Sequence, residues 1–312
     1  MMTMPLPAPR VMAVVVSFHP ELAALSRQLA VLAPQVERVI VVDNDSDPAI
    51  QQGLQSAVAR AQAEYHPQAR NLGLAAAQGV GIRRAIALGA SHILLLDQDS
   101  LPADDMVAEL LDALAECAVR GERVAGVGPR LVSARNADSM PFVRFRPWRV
   151  EKIYGTAPHA RVRADFLVAS GMLSPVAAYH AVGLPEEGLF IDNVDLEWCF
   201  RARSRGYHFY GVYNAVLIHR MGDETVYLPG LRRLGSIHIH DSLRQYYQIR
   251  NRFCLYGRNY CPWAWKVQDF PRALFKLLYF SLVVSPRWRN IRMMTLAVLD
   301  ALRGVDGPCR HE

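Results

Sequence analysis

Ser91-His92-Ile93-Leu94-Leu95-Leu96-Asp97-Gln98-Asp99-Ser100 is an aliphatic run that stops abruptly at two carboxylates one residue apart. An apolar run without polar alternation marks a strand covered on both faces, so a strand is expected over Ser91–Leu96. Alternate residues of an extended chain point the same way, which lets Asp97 and Asp99 face one cation as they leave the core. Two acids at this spacing are common in proteins. The flanking sequence makes this pair informative.

Upstream, strand and helix signals alternate. Val11–Ser17 reads as a buried strand, and Glu21–Leu32 places Leu22, Leu25, Leu29 and Leu32 on one helical stripe. Arg38–Asp43 is a second buried strand that runs into Asn44-Asp45-Ser46-Asp47, where Asp47 and Pro48 look like the N-cap and first residue of a helix. The Ala-rich stretch Leu72–Leu88 is helical in pattern. Downstream, Pro102 is expected to open a helix, Val124–Val132 to form a strand, and the Arg-rich residues 133–163 to be an irregular insertion or acceptor loop. Periodicity returns with Asp165–Leu173 as a strand, Val194–Ser204 as a helix and Tyr207–His219 as a strand. This order predicts an α/β protein with a mostly parallel sheet flanked by helices.

The 312 residues are 51% hydrophobic, ample for one sizeable core. Met1–Pro9 is Pro-rich and uncharged, and the apolar run after it is too short for a signal peptide. No stretch of 18 or more apolar residues is present, so no membrane span is expected. The five cysteines, at 117, 199, 254, 261 and 309, are scattered and have no CxxC spacing, which favours a reducing, cytoplasmic compartment. The net charge is +6, and the basic residues gather after about residue 200, mixed with Trp and Tyr. That mixture points to an anionic partner. Leu274–Ser285, flanked by Trp263, Trp265, Trp288 and several arginines, resembles an interfacial amphipathic element, so peripheral docking on the inner face of the cell membrane is one reading and an ordinary core helix the other. The aromatic stretch Tyr246, Tyr247, Phe253 and Tyr256 is open to a core-packing reading as well.

Three acidic clusters fall at strand ends or in the turns that follow: Asp43/Asp45/Asp47, Asp97/Asp99 and Asp192/Asp195/Glu197. Ligands of open α/β sheets bind beyond the carboxyl ends of the strands. Capping explains a single aspartate there, and Asp47 before Pro48 is best read as a cap, but capping explains three coincident clusters poorly. Hard oxygen donors such as Asp97 and Asp99 suit Mg²⁺ or Mn²⁺ carrying a diphosphate. No GxGxxG follows the first strand, and the Gly79–Gly81 pair sits too late and inside a helix, which disfavours a dinucleotide oxidoreductase.

The ordered set Val16-Ser-Phe-His-Pro20, Val41-Val-Asp-Asn-Asp-Ser46, Asn71-Leu-Gly-Leu-Ala-Ala-Ala77, Asp97-Gln-Asp99, Phe190-Ile-Asp-Asn-Val-Asp-Leu-Glu-Trp-Cys-Phe-Arg201, His219 with Gly222, and Arg244-x-Tyr-Tyr-x-x-Arg-Asn251 resembles family 2 glycosyltransferases of the GT-A fold, and among them bacterial rhamnosyltransferases. The resemblance implies a GT-A (Rossmann-like) catalytic domain over residues 1–228, its nucleotide-sugar half over about 11–132 and its acceptor half over about 165–228, followed by a helical, basic and aromatic region over 229–312. It further implies that Asp43 contacts the base or ribose with Ser17 closing that pocket, and that Asn71, Gly73 and Ala77 line the wall against nucleotide and sugar. Asp99 assisted by Asp97 would hold the cation, with His219 as third ligand. Asp195 would be the general base, Asp192 or Glu197 could share that role, and Arg250 and Asn251 with Arg244 would lie near phosphates or acceptor. The residue before Asp195 is Val194, where many relatives carry Glu, and the spacing of Glu197 and Arg201 also fits a helix-surface ion pair. His219 stands among ten histidines, and only its place after the base helix and strand lifts it above an ordinary surface residue.

The implied reaction is inverting transfer of a sugar, with L-rhamnose from dTDP-L-rhamnose favoured, to a cell-surface polysaccharide or lipid-linked saccharide. The alternatives are a same-fold transferase using a UDP-sugar and, from another class, a non-catalytic nucleotide- or nucleic-acid-binding protein. The basic, aromatic last third lacks a nucleic-acid-binding motif, so no nucleic-acid partner is expected.

Overall fold

The computed structural model describes residues 8–135, 138–155, 161–219, 225–227, 236–238 and 242–311. Gly222 and the 228/229 boundary lie outside the described residues. The first half is a parallel run of β1 (Val11–Ser17), α1 (Leu22–Leu32), β2 (Arg38–Asp43), α2 (Pro48–Arg60), β3 (Glu64–Pro67), α3 (Leu74–Ala87) and β4 (His92–Asp97), with strand order β3-β2-β1-β4. Every residue of β1 is buried, and its alternation divides them between two cores. Met12, Val14 and Val16 pack with Ile40, Ile93 and Ile82 on the α3 side, while Val11, Ala13 and Val15 pack with Leu25, Leu29 and Leu54 on the α1–α2 side. Both faces are covered, which is why these strands read as unbroken apolar runs. Gly81 lets α3 approach the sheet, since a Cβ there would stand 2.2 Å from Val14 Cγ1. The edge strand β3 carries no apolar run, being Glu-Tyr-His-Pro, and so left no sequence signal.

The second half completes the sheet in the order β4-β10-β6-β11-β5, with β9 alongside β11. Its elements are β5 (Ser100–Pro102), α4 (Met106–Val119), β6 (Val124–Ser133), β7 (Phe142–Arg146), β8 (Arg149–Ile153), β9 (Arg161–Ala164), β10 (Leu173–Pro175), α5 (Val176–Val182), α6 (Val194–Ser204) and β11 (His208–His219). The long β6–β11 pairing is parallel, whereas the antiparallel pairings of β10, β5 and β9 are short. Three expectations need correction. Pro102 ends a strand, because β11 captures Ser100–Pro102 by antiparallel pairing and delays the helix to Met106. Asp165–Leu173 is mostly a turn, since Gly171 takes a φ of +87° and only the segment from Leu173 joins the sheet. Residues 133–163 include a regular hairpin, β7 paired with β8, and the start of strand β9.

The last third is helical: α7 (Ser242–Gly257), α8 (Trp263–Leu282) and α9 (Arg287–Leu302). It shares core with the sheet half, as Leu255, Cys261 and Trp265 pack with Ala75, Leu189, Val194 and Phe200. Tyr246 and Tyr247 are buried, which bears out the core-packing reading of the aromatic stretch for those two. Arg250 and Asn251 are buried as well and serve as braces. Asn251 Nδ2 donates to the carbonyls of Leu189, Ile191 and Asp192 at 2.7–2.9 Å. Arg250 donates to the carbonyls of Gly188, Leu189 and Gly307. Backbone oxygens of Gly307 and of a strap over residues 188–192 thus take up these donors, where the family resemblance implied phosphates or acceptor nearby. The strap needs such a hold: Phe190, Asp192 and Asn193 all have φ near +60°, a conformation that costs about 1–3 kcal/mol per non-glycine residue. Phe190 also stacks on Tyr247, with ring centroids 4.9 Å apart. It sits against Gly73 (φ +83°), where a Cβ would be 2.5 Å from its ring.

Asn251→Leu keeps the volume and strips the three bonds, so it should lower unfolding free energy by about 3 kcal/mol, read as a lower urea midpoint with unchanged slope.

Candidate active site

Three parallel strands end level with one another. Ser17 of β1 is in register with Asp43 of β2, and Val16 of β1 with Asp97 of β4. Past Asp97 the chain turns, and Ser100 begins β5 opposite His219 at the end of β11. This antiparallel pairing closes a gap of 119 residues: the Ser100 hydroxyl lies 2.8 Å from His219 Nδ1, and Asp99 Oδ1 lies 3.7 Å from the same nitrogen.

The turn is held by three polar residues that sequence reading missed or left without a role. Gln28 donates to the carbonyls of Asp97 and Ser100 at 2.6 Å each. The Ser170 hydroxyl accepts from the Asp97 N–H at 3.0 Å and pairs with the Ser100 hydroxyl at 2.8 Å. Gln98 accepts from the Phe18 N–H at 2.7 Å and donates to the Phe18 carbonyl at 3.0 Å. The middle residue of Asp97-Gln98-Asp99 thus locks the exit of β1, and the two carboxylates are left for chemistry. Ser100 was legible as the next residue of the motif, whereas Gln28 and Ser170 carry no local signal.

Burial and the neighbouring Asp99 carboxylate push Asp97 up to about 6, against the pull of His219 and Arg244. Asp195, in the first turn of α6, is also pushed up to about 6, chiefly by burial and then by Asp97 and Asp192, although backbone N–H bonds from Leu196 and Ala169 oppose the shift. Asp192 is ion-paired with Arg244 at 3.3 Å. The fold therefore gathers Asp97, Asp99, Asp192, Asp195 and His219 at one end of the sheet, with Arg244 the cation among them. Among the described residues no three acidic, His or Cys side chains already close around an ion. The fit to a divalent cation is chemical: Asp97 and Asp99 are hard oxygen donors whose mutual repulsion a cation would relieve, with the His219 imidazole 3.7 Å from Asp99.

Other expected site residues are placed elsewhere. Glu197 is buried, with Arg201 in a two-pronged ion pair at 2.8 and 2.9 Å and the Tyr260 hydroxyl at 2.7 Å, so its carboxylate serves as a structural anchor. Its pair with Arg201 is expected as a surface contact and is internal, because the end of α5 and the residues after it, whose Val182 and Leu184 carbonyls accept from Arg201, and Tyr260 cover that face. Ala77 is fully buried in the core on the α3 side and lines no cleft wall. Asp43 is fully buried too, its carboxylate accepting from the Ser46 N–H and hydroxyl and from the Tyr65 hydroxyl. The Ser17 hydroxyl is buried beside it without a hydrogen-bond partner. Asn71 is exposed, and its Oδ1 accepts from Asn44 Nδ2 and the Gly73 N–H at 2.9 Å each, shaping the loop before α3. Asp47 precedes α2 as expected, but its side chain makes no capping bond.

A cavity of about 310 Å³ opens next to this cluster. It is largely apolar, lined by Pro129, Phe142, Val143, Phe166 and Leu167 with Lys152, and it reaches Ser170.

The profile of Glycosyl transferase family 2 matches residues 13–163. A dTDP-rhamnosyl transferase of Shigella flexneri is 29% identical over 303 residues, which cover 96% of this chain and 97% of that one. Among solved structures, a GalNAc transferase crystallised with UDP, GalNAc and Mn²⁺ superposes with a TM-score of 0.61 at 12% identity, over 95% of this chain. This chain spans only 58% of that protein. A mannosyltransferase of Pyrobaculum calidifontis, in complex with GDP-Man and Mn²⁺, superposes with a TM-score of 0.55 at 15% identity, over 95% of this chain and 75% of its own. The two structures show the GT-A architecture for this chain, and the profile match over residues 13–163 together with the similarity to a dTDP-rhamnosyl transferase along nearly the full length of both chains supports a glycosyltransferase.

Proposed function

We propose that the chain transfers L-rhamnose from dTDP-L-rhamnose, with inversion at the anomeric carbon, to a saccharide that is itself lipid-linked or part of a growing surface polysaccharide. The observation that carries the mechanism is the placement of Asp195 within electrostatic reach of Asp97 yet on a separate element from Asp99 and His219. Inverting transfer needs one carboxylate to take a proton while another set of ligands manages the departing diphosphate. Asp195 takes the acceptor hydroxyl proton, the freed oxygen bonds to the anomeric carbon, and the bond from that carbon to the diphosphate breaks to release dTDP. A carboxyl raised to about 6 remains ionised at neutral pH and is a stronger base than an ordinary aspartate. Asp97, Asp99 and His219 would hold a Mg²⁺ or Mn²⁺, which when bound neutralises charge on the diphosphate. The rhamnosyl donor is supported by the 29% identity to the Shigella flexneri enzyme along nearly the full length of both chains. The acceptor is assigned to the cavity beside Ser170, where the apolar lining suits the less polar face of a sugar and Lys152 an anionic substituent.

Release of dTDP from dTDP-L-rhamnose, with UDP-sugars as controls, tests the donor. Release from UDP-sugars alone would overturn the rhamnosyl assignment. Asp99→Asn, and EDTA added to the wild type, should each abolish release from dTDP-L-rhamnose. Asp195→Asn should cut kcat by about 10²–10⁴-fold, the usual worth of a general base, with little change in donor KM.

Because the base must be ionised, kcat should be low below pH 5, half-maximal near pH 6 and flat above pH 7. More divalent cation should move that midpoint downward by neutralising Asp97. At low divalent cation, a profile with no limb between pH 5 and 7 would remove Asp195 from the base role.

A further inference from the structure

Helix α8 is covered on one face only. Trp265, Asp269, Ala273 and Phe280 are buried, while Phe270, Leu274, Phe275, Leu278, Leu282 and Val283 are each at least 41% exposed. Their spacing of mostly three or four residues sets them in a stripe along about 20 Å of helix. Two charges lie within this run, the exposed Arg272 and Lys276, which is half-buried with its ammonium pushed down to about 8 by burial.

Tryptophans stand at both ends. Trp263 (61% exposed) meets Trp148 (80% exposed) edge to face at 5.9 Å, which brings the turn of the β7–β8 hairpin into the same surface. Trp288, at the start of α9, is 84% exposed. Trp265, expected from sequence among the flanking tryptophans, is instead buried against Phe200 and Tyr256. The charge around the stripe has one sign. Residues 263–299 carry Arg272, Arg287, Arg289 and Arg292 besides two lysines. Their single acid, Asp269, is buried in a 3.1 Å ion pair with Arg252.

We propose that this face docks on the anionic headgroups of a lipid bilayer, with α8 lying in the interface, its apolar stripe among the acyl chains and the tryptophans and arginines at headgroup depth. Apolar stripe, tryptophan rim and unopposed arginines are together what such a surface recognises. No helix among the described residues is long and apolar enough to cross a membrane. A second copy of this chain fits less well, because a two-fold interface would set the arginines against their own symmetry mates. The proposal is independent of the donor and acceptor assignments and stands or falls separately.

The test is sedimentation of the full chain with phosphatidylglycerol-containing vesicles and with pure phosphatidylcholine vesicles, at low and high salt, beside light scattering of the free protein. Binding is expected to the anionic vesicles and to weaken with salt. Arg287→Gln and Arg289→Gln should each raise the apparent dissociation constant about fivefold. Leu274→Glu with Leu278→Glu should abolish binding, and because both sites are exposed, helicity and dTDP release should be unchanged. Absence of binding to anionic vesicles, or binding indifferent to the double substitution, overturns the proposal. So would self-association of the wild type that the double substitution removes, since the stripe would then be covered by a second copy.

Discussion

The register of the parallel sheet is the constraint on which the site depends. Alternating side chains of β1 enter two different cores, so a slip of one residue would turn every buried valine to the wrong side. Burial on both faces therefore fixes the pairing of Val16 with Asp97 and of Ser17 with Asp43. The acidic residue at the end of β4 lies where it does because the residues before it cannot lie anywhere else. The Asp97–Ser100 turn inherits that placement, and Gln28, Ser170 and the β5–β11 pairing hold it level with His219.

A second hold comes from the far end of the chain. The strap before α6 carries three residues in the left-handed region, and Asn251 and Arg250 satisfy its carbonyls from α7. Backbone conformations of this cost persist only where surrounding structure over-determines them. The C-terminal helices thus support the elements that present Asp192 and Asp195, and they contribute to a shared core through Leu255 and Trp265. The same helices leave one face of α8 uncovered, so a single region supports the strap inside and offers an apolar surface outside.

Buried acids are the electrostatic consequence. Asp97 and Asp195 come from different elements, and burial raises each to about 6, with Asp99 adding to the first and Asp97 and Asp192 to the second. A group of carboxylates with few counter-charges is unfavourable in isolation and becomes useful when a cation and a proton are shared among its members.

The sequence by itself determined the parallel half of the sheet, since apolar runs at Val11–Ser17, Arg38–Asp43 and around Ile93–Leu96 are readable wherever burial is two-sided. It also marked Asp97 and Asp99, which stand out at the end of such a run, and Asp192 and Asp195 as a further acidic cluster, whereas His219 is singled out by the family resemblance alone. Only tertiary structure decided which polar residues belong to the chemistry and which to the scaffold. Glu197, Arg250 and Asn251 look as catalytic in sequence as Asp195 does, but their partners, Arg201, Tyr260 and the strap carbonyls, are set by packing of α6, α7 and the strap. Hydrogen-bond donors and acceptors carry no mark of where they will be satisfied. Ser170 and Gln28 became site residues, and Pro102 a strand residue, through contacts some 70 or more residues away, which local propensity and periodicity do not encode.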